Sequence, residues 1–330
     1  MNTMNEIRFG DNLAVLKDNI VKTSILPQKN SELNRNLKLQ GNVVIEGGVF
    51  SNTIDIESGP AVFKGAVYTN RELHILNSSK DSIVFEKAVA SADSVNALIT
   101  AGRAVFGADI NAVSIKLKNC FVAGSVFAAE VYLENCVVLG GAFGTKKITL
   151  QNSIVGTFNS PEVNMSGINY LLYPSAFSVE PISPLPGTEL YNLSLADLGA
   201  LFKGEKQSET SGKVRMDYQH DSQRTVLTDP NDQSGIGGNI IVNSYSIATR
   251  VLAADMLDLD KLENHFLMAA GSLGSQILKT YTLSKADGSK SEELSLTKIA
   301  DFFFKILSEE IEVQEMSSTV ALSDLKRLLE

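Results

Sequence analysis

Between Val43 and Met165 one short pattern recurs seven times. A corner residue, usually glycine, is followed two positions on by an apolar residue and seven or eight positions on by an alternating apolar pair. The corners are Gly47, Gly65, Lys87, Ala108, Gly124, Gly140 and Gly156, and the apolar residues two later are Val49, Val67, Val89, Ile110, Val126, Ala142 and Phe158. The pairs run from Ile54/Ile56 and Leu73/Ile75 through Val95/Ala97, Ile115/Leu117, Val131/Leu133 and Ile148/Leu150 to Val163/Met165. A repeat of this length dictates a solenoid, in which each unit buries its apolar face only against its neighbours.

The corners are separated by 18, 22, 21, 16, 16 and 16 residues. Sixteen residues are too few for a strand plus a helix, and each interval holds two or three segments of alternating hydrophobicity. The spacing therefore predicts a mainly β fold, a parallel β-helix of about seven coils that stack at roughly 4.8 Å. Leu117 to Phe127 repeats as Leu133 to Phe143 with an offset of 16 throughout. Within that alignment Asn119, Asn135 and, after a one-residue slip, Asn152 fall at one corner, where asparagine tolerates a left-handed backbone and can bond along the stack.

The 330 residues are 44% hydrophobic and 20% charged, which describes a folded globular chain long enough for two domains. A net charge of −9 argues against a general nucleic-acid binder, which needs a basic stripe. No apolar run is long enough to span a bilayer, and Met1 to Glu6 lacks the features of a secretory signal, so the cytoplasm is the expected location. Cys120 and Cys136 occupy equivalent positions one coil apart; they read either as a disulfide across the stack or as two buried small side chains.

Four segments follow from the pattern. Residues 1–40 read as a leader or cap, 41–167 as the β-helix, 168–192 as a linker holding Pro174, Pro181, Pro184 and Pro186, and 193–330 as a mixed, largely helical domain. In the last, Leu193 to Phe202 reads as a short helix capped by Ser194, and residues 212–228 as a hairpin turning near His220. Leu252, Leu259, Leu262, Phe266, Ala270, Leu273 and Ile277 lie on one helical face. A second helix is marked by Leu296, Ile299, Phe303 and Ile306 and a third by Ala321, Leu325 and Leu328, with a turn at Asp287-Gly288 between the first two. Phe302-Phe303-Phe304 leaves at least one ring off the core face, which points to burial of the helix or to a partner.

Sites of chemistry are few. Asp217, His220, Asp221, Asp229 and Asp232 hold metal-type ligands, but without a second nearby histidine they read as a polar hairpin tip. Ser234 to Asn239 is glycine-rich and matches neither phosphate-loop spacing. No catalytic, cofactor or metal residues are assigned. Outward positions of the coils carry mostly Lys, Asn, Thr, Ser and Glu without a paired carboxylate, which points away from a glycoside-cleaving β-helix and from an enzyme.

The coils also carry the motif Val44-Ile45-Glu46-Gly47-Gly48-Val49, again as Val62-Phe63-Lys64-Gly65-Ala66-Val67 and Phe121-Val122-Ala123-Gly124-Ser125-Val126. In this the segment from about Leu37 to Gly167 resembles the bactofilins, polymer-forming cytoskeletal proteins of bacteria and archaea. The resemblance implies a right-handed β-helix that assembles end to end, without nucleotide, into non-polar filaments. The long segment after the last coil, and the 21- and 22-residue coils, depart from that family's pattern.

The expected function is thus a cytoskeletal or scaffold protein that self-assembles through the ends of its β-helix. The competing reading is a non-polymerising β-helix that docks a protein, such as a division-site or envelope-associated regulator. The residues expected at the assembling ends are Val43, Val44, Ile45 and Phe50 at one and Ile154, Val155 and Phe158 at the other. Expected partners are further copies of the chain and a protein bound by the C-terminal domain, with peripheral membrane contact by Leu325 to Leu329 left open.

Overall fold

A computed structural model of the chain describes residues 1–10, 12–27, 35–172, 178–179, 182–193, 213–215, 217–220, 225–228, 281–284, 290–294 and 296–310. The sequence-predicted helices at 193–202, 252–277 and 321–328 lie outside these residues, apart from Leu193, which ends a strand.

Parallel strands stack into a solenoid of about nine turns with a three-sided cross-section. The first face passes from Leu13–Lys17 through Asn36–Gln40, Ser94–Leu98 and Ser114–Lys118 to Glu162–Ser166 and Ile182–Pro184. The second face runs from Asn2–Met4 and Asn19–Val21 through Val43–Ile45, Ala61–Phe63 and Arg103–Phe106 to Ile168–Leu171 and Glu189–Leu193. The third is shorter, from Val49 to Asn159. Several strands, such as Val49–Ile56 and Val126–Glu134, bend round a corner and serve both the third and the first face.

The repeat read from the sequence is the interior of this prism. Val49, Val67, Val89, Ile110, Val126, Ala142 and Phe158 form one inward column, residue opposite residue. Ile54, Leu73, Val95, Ile115, Val131, Ile148 and Val163 form another. All of them are buried in one continuous core. Inside that core Phe63, Phe85 and Phe106 stack at 4.6 and 4.8 Å between ring centres. Period-two alternation sends every second side chain inward, and equal registers place like residues above one another.

Corners explain the small residues. A Cβ on Gly65 would lie 2.4 Å from the backbone of Gly47 one turn away, so the corner admits no side chain there. Asn119, Asn135 and Asn152 are left-handed, at φ of 55, 50 and 46°. The Asn135 amide donates to Asn119 Oδ1, and Asn152 Oδ1 accepts from the Ile168 amide at 3.0 Å, so the predicted corner ladder is present.

Three expectations need correction or refinement. The turns number about nine, not seven, because strands from residues 1–40 and 168–193 continue the ladders on both sides of the recurring pattern. The proline-bearing segment expected as a linker contributes Ile182–Pro184 and Glu189–Leu193, which pair in parallel with the preceding turn. Of the expected helical domain, one helix is described, Leu296–Leu307 (α1), together with a hairpin of Asp217–His220 with Thr225–Thr228 and another of Tyr281–Ser284 with Lys290–Leu294. His220 ends the first strand of the first hairpin, and the rest of its expected turn, like Asp287-Gly288 of the second, falls outside the described residues.

Candidate binding faces of the solenoid

Interior columns fix which side chains point outward, and the three faces present different chemistry. On the first face the outward positions include Lys38, Asp55, His74, Lys116 and Tyr132, and cross-turn ion pairs lace them together. Lys118 Nζ lies 2.5 Å from Glu134 Oε1, Lys147 Nζ 2.8 Å from Glu162 Oε1, and Lys38 Nζ 2.5 Å from Glu57 Oε1. The Lys118 ammonium beside Glu134 holds its carboxyl below the usual range, helped by the Tyr132 hydroxyl, which donates to Glu134 Oε2 at 2.7 Å. In return the Tyr132 phenol, bonded to that carboxylate, is pushed up to about 12. This face is solvated and its charges are matched along the stack.

The second face is apolar outside as well as inside. Its outward column holds Ile20, Val44, Val62 and Val84, all partly exposed, and then Val105, Phe121, Val137, Ile154, Tyr170 and Tyr191, all buried. Helix α1 lies over the latter half. Its Ala300, Phe303, Phe304 and Ile306 form one buried cluster with Val105, Phe121, Val137 and Ile154. Arg103 clamps the helix, pairing with Asp301 and placing its guanidinium 4.3 Å from the centre of the Phe304 ring. Two rings of Phe302-Phe303-Phe304 are therefore spent on the solenoid.

Among the described residues the third face is open and nearly uncharged. Its outward column reads Phe50, Tyr68, Ala90, Asn111, Phe127, Phe143, Asn159. Phe50 stacks on Tyr68 at 4.5 Å and Phe127 on Phe143 at 5.1 Å, yet Phe50 and Phe127 remain 37% and 38% exposed. Neighbouring outward positions are Gly48, Ala66, Ala88, Asn52, Asn70 and Ala92. Asp109, beside this column, accepts from the Ser125 amide at 2.8 Å. Large rings held at the surface among small neutral neighbours mark a contact surface.

Of the residues expected at the ends of the stack, Val43, Val44, Ile45, Ile154 and Val155 lie inside it, and Phe50 and Phe158 lie in the first and last strands of the third face alone. Val43, Val44 and Ile45 have paired strands on both sides, and Val43 and Ile45 are fully buried. Ile154 and Val155 are likewise paired on both sides and buried, Ile154 in the seat beneath α1. Phe158 closes the inward column of the third face, fully buried, and Phe50 stands on the third face. The reason is the extra turns. At the N-terminal end Met4, Ile7 and Phe9 pack against the core, with Arg35 over the Phe9 ring at 4.4 Å. At the C-terminal end Lys213–Arg215 pairs antiparallel with Glu189–Leu193 and covers the edge of the second face.

Cys120 and Cys136 are free thiols, fully buried in adjacent turns. Burial, and then the neighbouring Cys136, push the Cys120 thiol well up from its ordinary value. His74 points outward, its Nδ1 3.6 Å from Asp55 Oδ1. Among the described residues no group of three His, Cys, Asp or Glu side chains is placed to hold a metal, and no helix is long and apolar enough to cross a membrane. Asp221, Asp229, Asp232 and Ser234 to Asn239 lie outside the described residues, as do the side chains of Asp217 and His220. Compared with family models, curated proteins and solved structures, the chain matches none.

Proposed function

We propose that the protein is a structural scaffold, a rod that works by holding partners against one side face. The observation that carries this reading is the third face: a regular column of aromatic rings, open to solvent, beside a first face that is solvated and a second face half occupied by α1. Stacked parallel ladders make such a face rigid, so its rings are already in place when a partner arrives.

The filament role that the resemblance implies is narrowed by the ends. A growing filament needs open ladders and an uncovered core, whereas here Met4, Ile7 and Phe9 pack against the core at one end and an antiparallel strand closes part of the other. Pro184, in the last strand of the first face, offers no amide to a further turn. Assembly through the side of the rod fits these ends better than assembly through its tips.

Negative-stain electron microscopy of the full chain tests the reading. Particles wider than one rod are the expected result. Long single-rod filaments would return the function to end-to-end polymerisation. Lone rods at every concentration would remove self-assembly and leave the docking-module reading.

A further inference from the structure

The aromatic column of the third face has a period of its own: two rings, two gaps, two rings, one gap. Tyr68 and Phe127 are separated by the levels of Ala90 and Asn111, three turn-to-turn steps, or about 14 Å. That is the thickness of two stacked rings with stacking distance left on either side. The slot has a ring face as each wall and small residues as its floor. The same chain carries a ring pair of matching thickness, Phe127 on Phe143 at 5.1 Å.

Resting on the scaffold reading above, we infer that the occupant of this face is a second copy of the chain, packed face to face with its axis reversed. Phe127 and Phe143 of each copy then enter the Ala90–Asn111 slot of the other, and Tyr68 of each falls level with Asn159 of the other. A twofold axis brings these matches about together, because in the reversed alignment the level of Phe127 meets that of Asn111, and the level of Phe143 meets that of Ala90. Self-complementarity of this kind is what a symmetric dimer requires. Two sheets at about 10 Å interdigitate their side chains in the same way inside a β-sandwich.

Charge supports the choice of partner. Each copy carries a net charge of −9, so two copies repel wherever they present charged faces. The third face is where they meet with little charge, since its outward column holds Phe, Tyr, Ala and Asn and Asp109 beside it is bonded to the Ser125 amide. Six levels of about 4.8 Å by a width of about 15 Å bury roughly 850 Å² in total, the size of a weak, transient interface. The dimer is accordingly concentration-dependent, and added salt strengthens it by screening the repulsion of the remaining faces.

Sedimentation equilibrium of the full chain tests this with three substitutions. Phe127→Asp brings two carboxylates into the slots and should give monomers. Ala90→Trp fills the slot while making the face more apolar, and should weaken pairing about tenfold or more. Thr149→Asp on the first face should change nothing. All positions are outward, and unchanged melting checks that each variant folds. A wild-type monomer at all concentrations overturns both the inference and the self-assembling scaffold. Assembly that survives Phe127→Asp, or that Ala90→Trp strengthens, overturns the inference alone and leaves the scaffold standing on another surface.

Discussion

Val126→Asp tests the register of the whole stack, because Val126 sits mid-column with Ile110 one turn before it and Ala142 one turn after. The side chain is fully buried, so an aspartate there has no water and no cation. Ionised, it is unaffordable. Neutralising it at pH 7 against a buried pKa raised by 3–5 units costs about 4–5 kcal/mol. The unpaired hydroxyl and carbonyl add about 1–3 kcal/mol, and the lost burial of valine about 1.5–3 kcal/mol. The total is comparable with the whole stability of a typical domain, about 5–15 kcal/mol. Thermal unfolding followed by circular dichroism should show a collapsed transition or no soluble protein, partly relieved at acid pH, where the carboxyl is neutral without cost. Phe127→Asp, one residue along, points outward and loses only its stacking on Phe143 and any pairing of copies, so it should melt far closer to the wild type. If Val126→Asp melts normally, or the two variants behave alike, the inward column is misassigned and the argument from alternation fails.

Three further outcomes follow from named contacts. Phe303→Asp places a charge between α1 and the second face, and should release the helix at a cost of about 3–5 kcal/mol, seen as rapid proteolysis near residue 300 with the solenoid intact. The Cys120 and Cys136 thiols should resist a thiol reagent in the native state and react fully on unfolding, since both are buried out of reach and burial keeps Cys120 protonated; rapid native labelling of both would contradict their placement. Glu134 has its pKa lowered and Tyr132 its pKa raised in the fold, so their contributions have opposite windows. That of Glu134 is present above the unfolded carboxyl range and is lost as the pH falls through the folded value. That of Tyr132 is present below the ordinary phenol range and is lost as the pH rises towards about 12. In Glu134→Gln the Tyr132 titration, followed by its ultraviolet absorbance, should move back down towards the ordinary phenol value.

The interior was legible because stacking makes like residues recur at equal registers. Val49 to Phe158 could be aligned by eye, and their column is continuous. The 21- and 22-residue intervals were readable as coils as well, and the structure gives their cause: extra residues bulge at one corner while the ladders stay in step. Asn77 holds one such bulge, donating to the carbonyl of Asp81 at 2.7 Å and accepting from the Gly59 amide at 3.1 Å. The end turns were hidden because they lack the glycine corner and break the period; Leu16 and Leu39 are neighbours in the stack but 23 residues apart. Without those turns the pattern begins at Val43 and makes Val43 and Ile154 look outermost, which is why the expected assembling ends fall inside the stack. The outward columns were present in the same alignment. Phe50, Tyr68, Phe127 and Phe143 each follow an inward residue by one position, but their significance needed the faces to be told apart. The seat of α1 joins Val105 and Phe121 to Phe303, nearly 200 residues away, and no local pattern carries such a pairing.

Small-angle X-ray scattering of the full chain over a concentration series bears most directly on a rod that works through its side. About nine turns span roughly 43 Å by strand spacing. The account predicts that mass doubles with concentration while the longest dimension stays nearly constant and the cross-section thickens. Doubling of mass with doubling of length would place the contact at the tips, and a constant single-chain mass would contradict self-assembly and leave only the docking of a different protein on that face.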